Sequence, residues 1–183
     1  MSIDQYLRNL RISSEYALNL GCGEGRIENL LNCDLYDEHA DLKLDALDLS
    51  KYKDGSVDHI ETHHMIEHLS VKEADSALKE WYRALKEGGY LVITCPDFKK
   101  VVFKWVKYWF IAPLFNRPKR REYIMKMFYG NQENPGQFHK YAYDSKSLKI
   151  KLTDSGFEVL FWYSVYPRQT TPSMIFIARK RYQ

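Results

Sequence analysis

Cysteine is scarce: Cys22, Cys33 and Cys95 are the three in 183 residues, an odd number with no C-x-x-C pair. That spacing gives neither a disulfide framework nor a zinc knuckle, and a reducing cytoplasm is the simplest setting. Long apolar runs are missing as well. No stretch approaches the roughly 20 residues that a membrane-spanning helix needs. Met1 is followed by Ser-Ile-Asp-Gln, not by the basic segment and apolar run of a signal peptide. No internal repeat or low-complexity segment is present. Net charge is only +3, so charge of one sign does not dominate the chain. With 45% hydrophobic and 28% charged residues, a single domain over residues 1–183 can bury its own core.

The charge that is there is unevenly placed. Between Lys99 and Lys126 nine Lys/Arg face one acid, Glu122, a local balance of +8 that leaves about −5 for the remainder. A localised basic block says more about partners than the total does.

The most informative stretch is Ala17-Leu-Asn-Leu-Gly-Cys-Gly-Glu-Gly25. A short apolar run ending in glycines predicts a buried strand feeding a tight turn, where a missing Cβ lets a ligand lie against the main chain. Downstream, Leu30–Leu35 predicts a second strand. Only eight residues, 26 to 33, separate Gly25 from Asp34, so any helix between them is cut to about a turn. Lys43–Asp48 reads as a third strand and its exit loop, and Val57–Thr62 as a fourth. Ser70-Val-Lys-Glu73 is a capping-box signature. Behind it Ala74, Leu78, Trp81 and Leu85 form one apolar stripe, with Gly88 as the expected helix stop. Tyr90–Thr94 predicts a fifth strand, halted at Cys95-Pro96.

At the N-terminus, Tyr6, Leu7 and Leu10 within Ile3–Ile12 predict a short amphipathic helix. Past the basic block, Pro113 and Pro118 are expected to break a helix, with a second from Arg117 to Tyr129. A further helix from Ser145 to Ser155 is capped by Asp144 and stopped by Gly156. Two β-rich runs follow, Phe157–Tyr163 and Ser173–Ala178. The pattern predicts a doubly wound, three-layer α/β/α sheet, mostly parallel with an antiparallel last strand.

The residues Leu18-Asn-Leu-Gly-Cys-Gly23, Asn32-Cys-Asp34, Ser56-Val-Asp58 and His64-Met-Ile-Glu-His-Leu69, with Glu87-Gly-Gly-Tyr-Leu-Val-Ile93, resemble the class I S-adenosylmethionine (SAM)-dependent methyltransferases. Within that class the chain is similar to the small bacterial and archaeal predicted SAM-dependent methyltransferases of the type 11 kind, from about Ala17 to the C-terminus. The resemblance implies a Rossmann-like methyltransferase fold and SAM as cofactor, with S-adenosylhomocysteine as product. It places Leu20, Gly21, Cys22 and Gly23 against the methionine tail. Asp34 would accept from the ribose hydroxyls, with Leu35 beside it, since a carboxylate offers two acceptor oxygens at fixed spacing. Asp45 would take the adenine amine, with Ala46 and Leu47 supplying backbone and apolar contact.

His64-x-x-Glu67-His68 also matches an inverted zinc-protease motif. It is set aside because the segment follows a buried strand at a sheet end, has little room for a helix before Ser70, and leaves the glycine loop unexplained; no metal site is expected. In the family this loop lines the methyl-donor pocket. His63 becomes a cofactor contact and His64 a catalytic candidate, while Glu67 and His68 are expected to hold the loop. His139 resembles a histidine that many relatives carry before the helix preceding the closing strands. Either it takes a proton from a hydroxyl acceptor or it ties a lid to the sheet. Tyr141 and Tyr143 are candidates to line the same cleft.

For the helical insertion at about residues 99–140 three readings stand open: a lid whose Trp and Phe bury on the core, a platform for an anionic or glycan acceptor, and, over 99–115, an interfacial helix on an anionic membrane. No RNA-binding module accompanies the basic block, which counts against nucleic acid. Relatives of this type look associated with cell-surface polysaccharide or glycolipid synthesis, which makes a sugar hydroxyl the leading acceptor. The alternatives are a small-metabolite O- or N-methyltransferase and a SAM-binding interaction module without catalysis.

Overall fold

Ala17–Leu20 (β1) is buried at every position, as a four-residue apolar run in the middle of a sheet must be. The computed structural model describes residues 16–115, 118–165 and 171–182; the helix expected over Ile3–Ile12 lies outside them. Beside β1 run Leu31–Asp34 (β2), Leu42–Lys43 (β3), Val57–His63 (β4) and Leu85–Pro96 (β5), with Phe157–Val165 (β6) and Ser173–Lys180 (β7) closing the sheet. The order is β3-β2-β1-β4-β5-β7-β6. β3, β2, β1, β4 and β5 pair in parallel, while β7 runs antiparallel to both β5 and β6. This is a mixed, mostly parallel, doubly wound sheet flanked by helices, with its order reversing between β1 and β4.

Four helices accompany the described strands: Val71–Ala84 (α1), Phe98–Phe115 (α2), Pro118–Tyr129 (α3) and Ser145–Asp154 (α4). Ser70 caps α1 in both directions: its hydroxyl accepts from the Glu73 N–H at 3.3 Å, and the Glu73 carboxylate accepts from the Ser70 N–H at 2.7 Å. That bond, and then Lys140, hold the Glu73 carboxyl down at about 2. Asp144 caps α4 in the same reciprocal way with Ser147.

Side chains alternate across the strands. Leu18, Leu20, Ile60, Leu91, Ile93 and Phe176 pack with α1 and α4 into the main core, while Val92 and Ile177 form a smaller cluster. Alternating with the core residues along β1 and β4 are buried Asn19, His59 and Glu61. The Glu61 carboxylate bridges His59 at 2.8 Å and His63 at 2.9 Å. Trp81 stands at the centre of the main core, fully buried, and its indole N–H donates to the Ala46 carbonyl at 2.8 Å. Trp81→Ala removes that bond along with the largest buried side chain. We expect it to cost about 3–5 kcal/mol in urea unfolding, and an unchanged midpoint would contradict this packing.

The structure departs from the sequence expectations at four places. Residues 21–30 contain turns and no helix at all. β3 is two residues long, so Leu44–Asp48 is loop. α1 ends at Ala84 and not at Gly88, because Leu85 already pairs with Val57 as the chain turns straight into β5. α2 continues through Pro113: near a helix end, a missing N–H removes one rung without ending the helix.

Candidate cofactor cleft and active site

Parallel pairing sets the carboxyl ends of β3, β2, β1 and β4 in a row, and the sequence candidates fall along that row. Leu20 is the last residue of β1. Gly21 follows with φ +66°, and a Cβ there would lie 2.3 Å from the Met65 side chain, so the loop after β4 packs on the glycine turn. The Cys22 N–H donates to the Cys33 carbonyl at 3.0 Å and the Gly25 N–H to the Cys22 carbonyl at 2.8 Å. Burial, then the charge of Asp34, pushes the Cys22 thiol up to about 11. Burial also pushes the Cys33 thiol up to about 12, so neither is a nucleophile at neutral pH.

Asp34 clasps the turn to β2. One carboxylate oxygen accepts from the Gly23 N–H at 2.9 Å, the other from the N–H groups of Tyr36 and Asp37 at 2.7 and 3.0 Å. Leu35, just past the strand, is exposed. Leu44 donates its N–H to the Asp34 carbonyl at 3.1 Å, which brings the β3 exit loop alongside. There Asp45 accepts from the Leu47 N–H at 2.9 Å, and Ala46 is fixed by Trp81.

A network that the sequence reading did not assign stands in for the missing helix. Asn19 and Asn32, both buried, meet at 2.9 Å. Asn19 also donates to the Gly25 carbonyl at 3.0 Å, while Asn32 accepts from the Ile27 N–H at 2.8 Å and donates to the Asp41 carboxylate at 2.9 Å. The main-chain and side-chain N–H of Asn32, and then Arg26, hold the Asp41 carboxyl below the usual carboxylate range. Two asparagines at strand positions otherwise filled by apolar residues were the available signal.

Past β4 the chain makes a sharp corner. His64 has φ +55°, a conformation disfavoured for a residue with a Cβ, and its N–H donates to the Thr94 carbonyl at 2.7 Å. Its Nδ1 bonds the Glu67 carboxylate at 3.2 Å and its Nε2 meets the Ser173 hydroxyl at 3.2 Å. Burial alone would lower the His64 pKa, but the Glu67 hydrogen bond and charge outweigh it and the pKa is raised. His63 is half-exposed and turned to Glu61. A 3-10 turn over Ile66–His68 then brings Glu67 and His68 against the segment after α3. Lys140 and Tyr141 give their N–H groups to the Glu67 carbonyl at 2.8 and 3.1 Å, and His68 Nδ1 bonds the Phe138 carbonyl at 3.1 Å.

His139 lies in that seam. Its Nδ1 bonds the Met127 carbonyl at 3.1 Å, and its ring meets the His68 ring edge to face, centroids 4.8 Å apart. Burial lowers its pKa, which favours the neutral ring. The two tyrosines expected beside it part company: Tyr141 is exposed, while Tyr143 is a core residue at 1% exposure. The bury-on-the-core expectation for α2 fails as well. Val101 is buried, but Phe103, Val106, Trp109 and Phe110 are exposed, up to 72% for Phe110.

A family model described as a methyltransferase domain matches residues 28–93. Among solved structures, a SAM-dependent methyltransferase from Methanosarcina mazei is similar at 18% identity over 97% of this chain and 98% of that one, with a TM-score of 0.67. A SAM-dependent methyltransferase from Archaeoglobus fulgidus is similar at 15% identity, covering 97% and 91%, with a TM-score of 0.63. A third similar chain comes from the complex between the Haloferax volcanii Trm112 methyltransferase activator and a methyltransferase, at 13% identity over 98% and 89%, TM-score 0.62. At these identities the structures speak to the fold. No curated protein matches the chain.

Proposed function

We propose, from the premise that this chain is a SAM-dependent methyltransferase of class I by domain match and fold, that it methylates a hydroxyl of a sugar or glycan precursor. In this reading SAM lies along the carboxyl ends of β1 to β4. The main-chain N–H groups of the glycine turn face its carboxylate, Asp34 the ribose and Asp45 the adenine.

The observation that carries an oxygen acceptor is the state of His139. Its Nδ1 bonds a carbonyl, which only accepts, so that nitrogen holds the ring proton and Nε2 keeps its lone pair. Burial lowers the pKa of the ring and so favours its neutral form. A neutral imidazole beside the reacting centre is suited to take the proton that a hydroxyl must lose. The acceptor oxygen bonds to the methyl carbon as the carbon–sulfur bond breaks. Its electron pair stays on sulfur, S-adenosylhomocysteine leaves, and the hydroxyl proton passes to His139 and then to water. Proximity and alignment supply most of the acceleration.

The sugar class has its support in the resemblance and in the outward face of α2. There Phe103, Trp109 and Phe110 stand exposed on the same helix as Lys99, Lys100, Lys104 and Lys107. Aromatic faces with interleaved cations suit an acceptor that combines sugar rings with anionic groups, such as a phosphorylated glycan precursor.

The test is incubation with SAM and matched panels of hydroxyl and amine acceptors, phosphorylated sugars first, following S-adenosylhomocysteine release and product mass. We expect an O-methyl ether from a sugar panel and none from the matched amines. Turnover confined to amines would overturn the oxygen assignment, and saturable SAM binding without turnover on any panel would favour the interaction module.

A further inference from the structure

Methyl transfer leaves part of this cleft unexplained. Glu67 is 2% exposed; one carboxylate oxygen accepts from His64, and the other, Oε2, has no hydrogen-bond partner. A buried carboxylate oxygen without a donor is rare because desolvation goes uncompensated. Two imidazoles stand beside the Glu67 carboxylate. His68 and His139 each bond a main-chain carbonyl through Nδ1, at 3.1 Å in both cases. Each therefore carries its proton on Nδ1 and its lone pair on Nε2. One donor atom from each of Glu67, His68 and His139 lies within 4.8 Å of the others.

We propose that Glu67, His68 and His139 bind a divalent transition-metal ion of the zinc class. Two imidazoles and one carboxylate favour such an ion over magnesium or calcium, which prefer oxygen donors throughout. Imidazoles oriented by a carbonyl on the far nitrogen are the usual form of metal-binding histidines. Closing the donors onto an ion with metal–ligand distances near 2.1 Å requires side-chain shifts of roughly 1 Å. The main chain beneath them is already tied, because Lys140 and Tyr141 bond the Glu67 carbonyl.

Three protein ligands leave a coordination position open. This part replaces the base role given to His139 above and keeps from that reading only that a hydroxyl acceptor enters the cleft. The ion then takes the acceptor oxygen at that position and lowers its pKa, the proton leaves to water, and His139 serves as a ligand in place of a base.

Tag-free protein, stripped with a chelator, is titrated with Co2+ and then with Zn2+. We expect one Co2+ per chain, with the visible absorption of a nitrogen- and oxygen-ligated ion, displaced by Zn2+. Glu67→Gln and His139→Ala should each weaken ion binding at least 100-fold while SAM binding reports that the variants are folded. His39→Ala, an exposed histidine outside the cleft, should leave it unchanged. Absent Co2+ binding, or binding indifferent to both cleft variants, overturns the site. Full turnover by the stripped protein, lost in His139→Ala, overturns the activating ion and leaves the base. An ion that binds as expected while no hydroxyl is methylated upholds the site and removes the oxygen acceptor.

Discussion

Asp34→Ala is expected to weaken SAM binding sharply: a calorimetric titration that saturates with the unaltered protein should show at least a roughly 10-fold weaker affinity. The carboxylate does two things at once. It holds the glycine turn through the Gly23 N–H at 2.9 Å and organises the β2 exit through Tyr36 and Asp37. Each carboxylate oxygen has two lone pairs; Tyr36 and Asp37 fill one oxygen and Gly23 takes half of the other, so one acceptor position remains for a ribose hydroxyl. Hydrogen bonds to a charged acceptor contribute roughly 1.5–3 kcal/mol each. Losing one ribose bond therefore predicts a fall of roughly 10- to 150-fold, before the loosened turn adds its part. Asp34→Asn keeps one acceptor oxygen but turns an NH2 toward donors, and should fall between. Unaltered affinity in the alanine variant would remove Asp34 from the cofactor site.

What was readable in advance were local features. The glycines after β1 signalled a turn with unusual backbone angles, and Gly21 and Gly23 have φ of +66° and +45°. The capping box at Ser70 forms as its spacing requires. The two closing runs gave the antiparallel strand, whereas β1 to β4 pair in parallel with no α-helix between them among the described residues, an alternation the sequence pattern only partly carried.

What was not readable depended on partners far along the chain. Residues 26–33 offered room for one helical turn, but the main chain there is satisfied by Asn19, Asn32 and Asp41 instead, and no local pattern announces that exchange. In α2, apolar residues at 101–103, 105, 106 and 108–110 leave no polar side wide enough to say which face is buried, and the structure turns Phe103 and Phe110 outward. Gly88 is a legitimate helix stop, overruled because Leu85 finds a strand partner first. His139 stood out as a lone histidine. That it would meet His68, 71 positions away, follows only from how the segment after α3 folds back onto the β4 loop.

That fold-back gives the second large effect. Gly130→Ala is expected to lower kcat about 100-fold while the SAM dissociation constant changes less than about threefold. Gly130 is buried, follows α3 with φ +79°, and donates its N–H to the Lys126 carbonyl at 2.8 Å. A Cβ there would lie 1.8 Å from the Gln137 carbonyl oxygen and 3.2 Å from the His139 ring. The left-handed angle alone costs an alanine about 1–2 kcal/mol. The clash is with main chain, so residues 137–139 must move, and with them the Phe138 carbonyl that orients His68. A displacement of about 1 Å in a reacting geometry can cost 100-fold in rate. The Asp34 clasp is held by Gly23, Tyr36 and Asp37 and not by Gly130, although Gly136 packs on the Tyr36 ring, so SAM should still bind. Gly55→Ala is the matched control: φ is +64° but nothing lies within 4 Å of the added Cβ, so it carries the backbone strain without the clash. Loss of stability in both variants with loss of turnover only in Gly130→Ala places His139 in the reacting geometry. A parallel fall in SAM affinity would instead make the segment part of the cofactor site, and unchanged turnover would take His139 out of the chemistry.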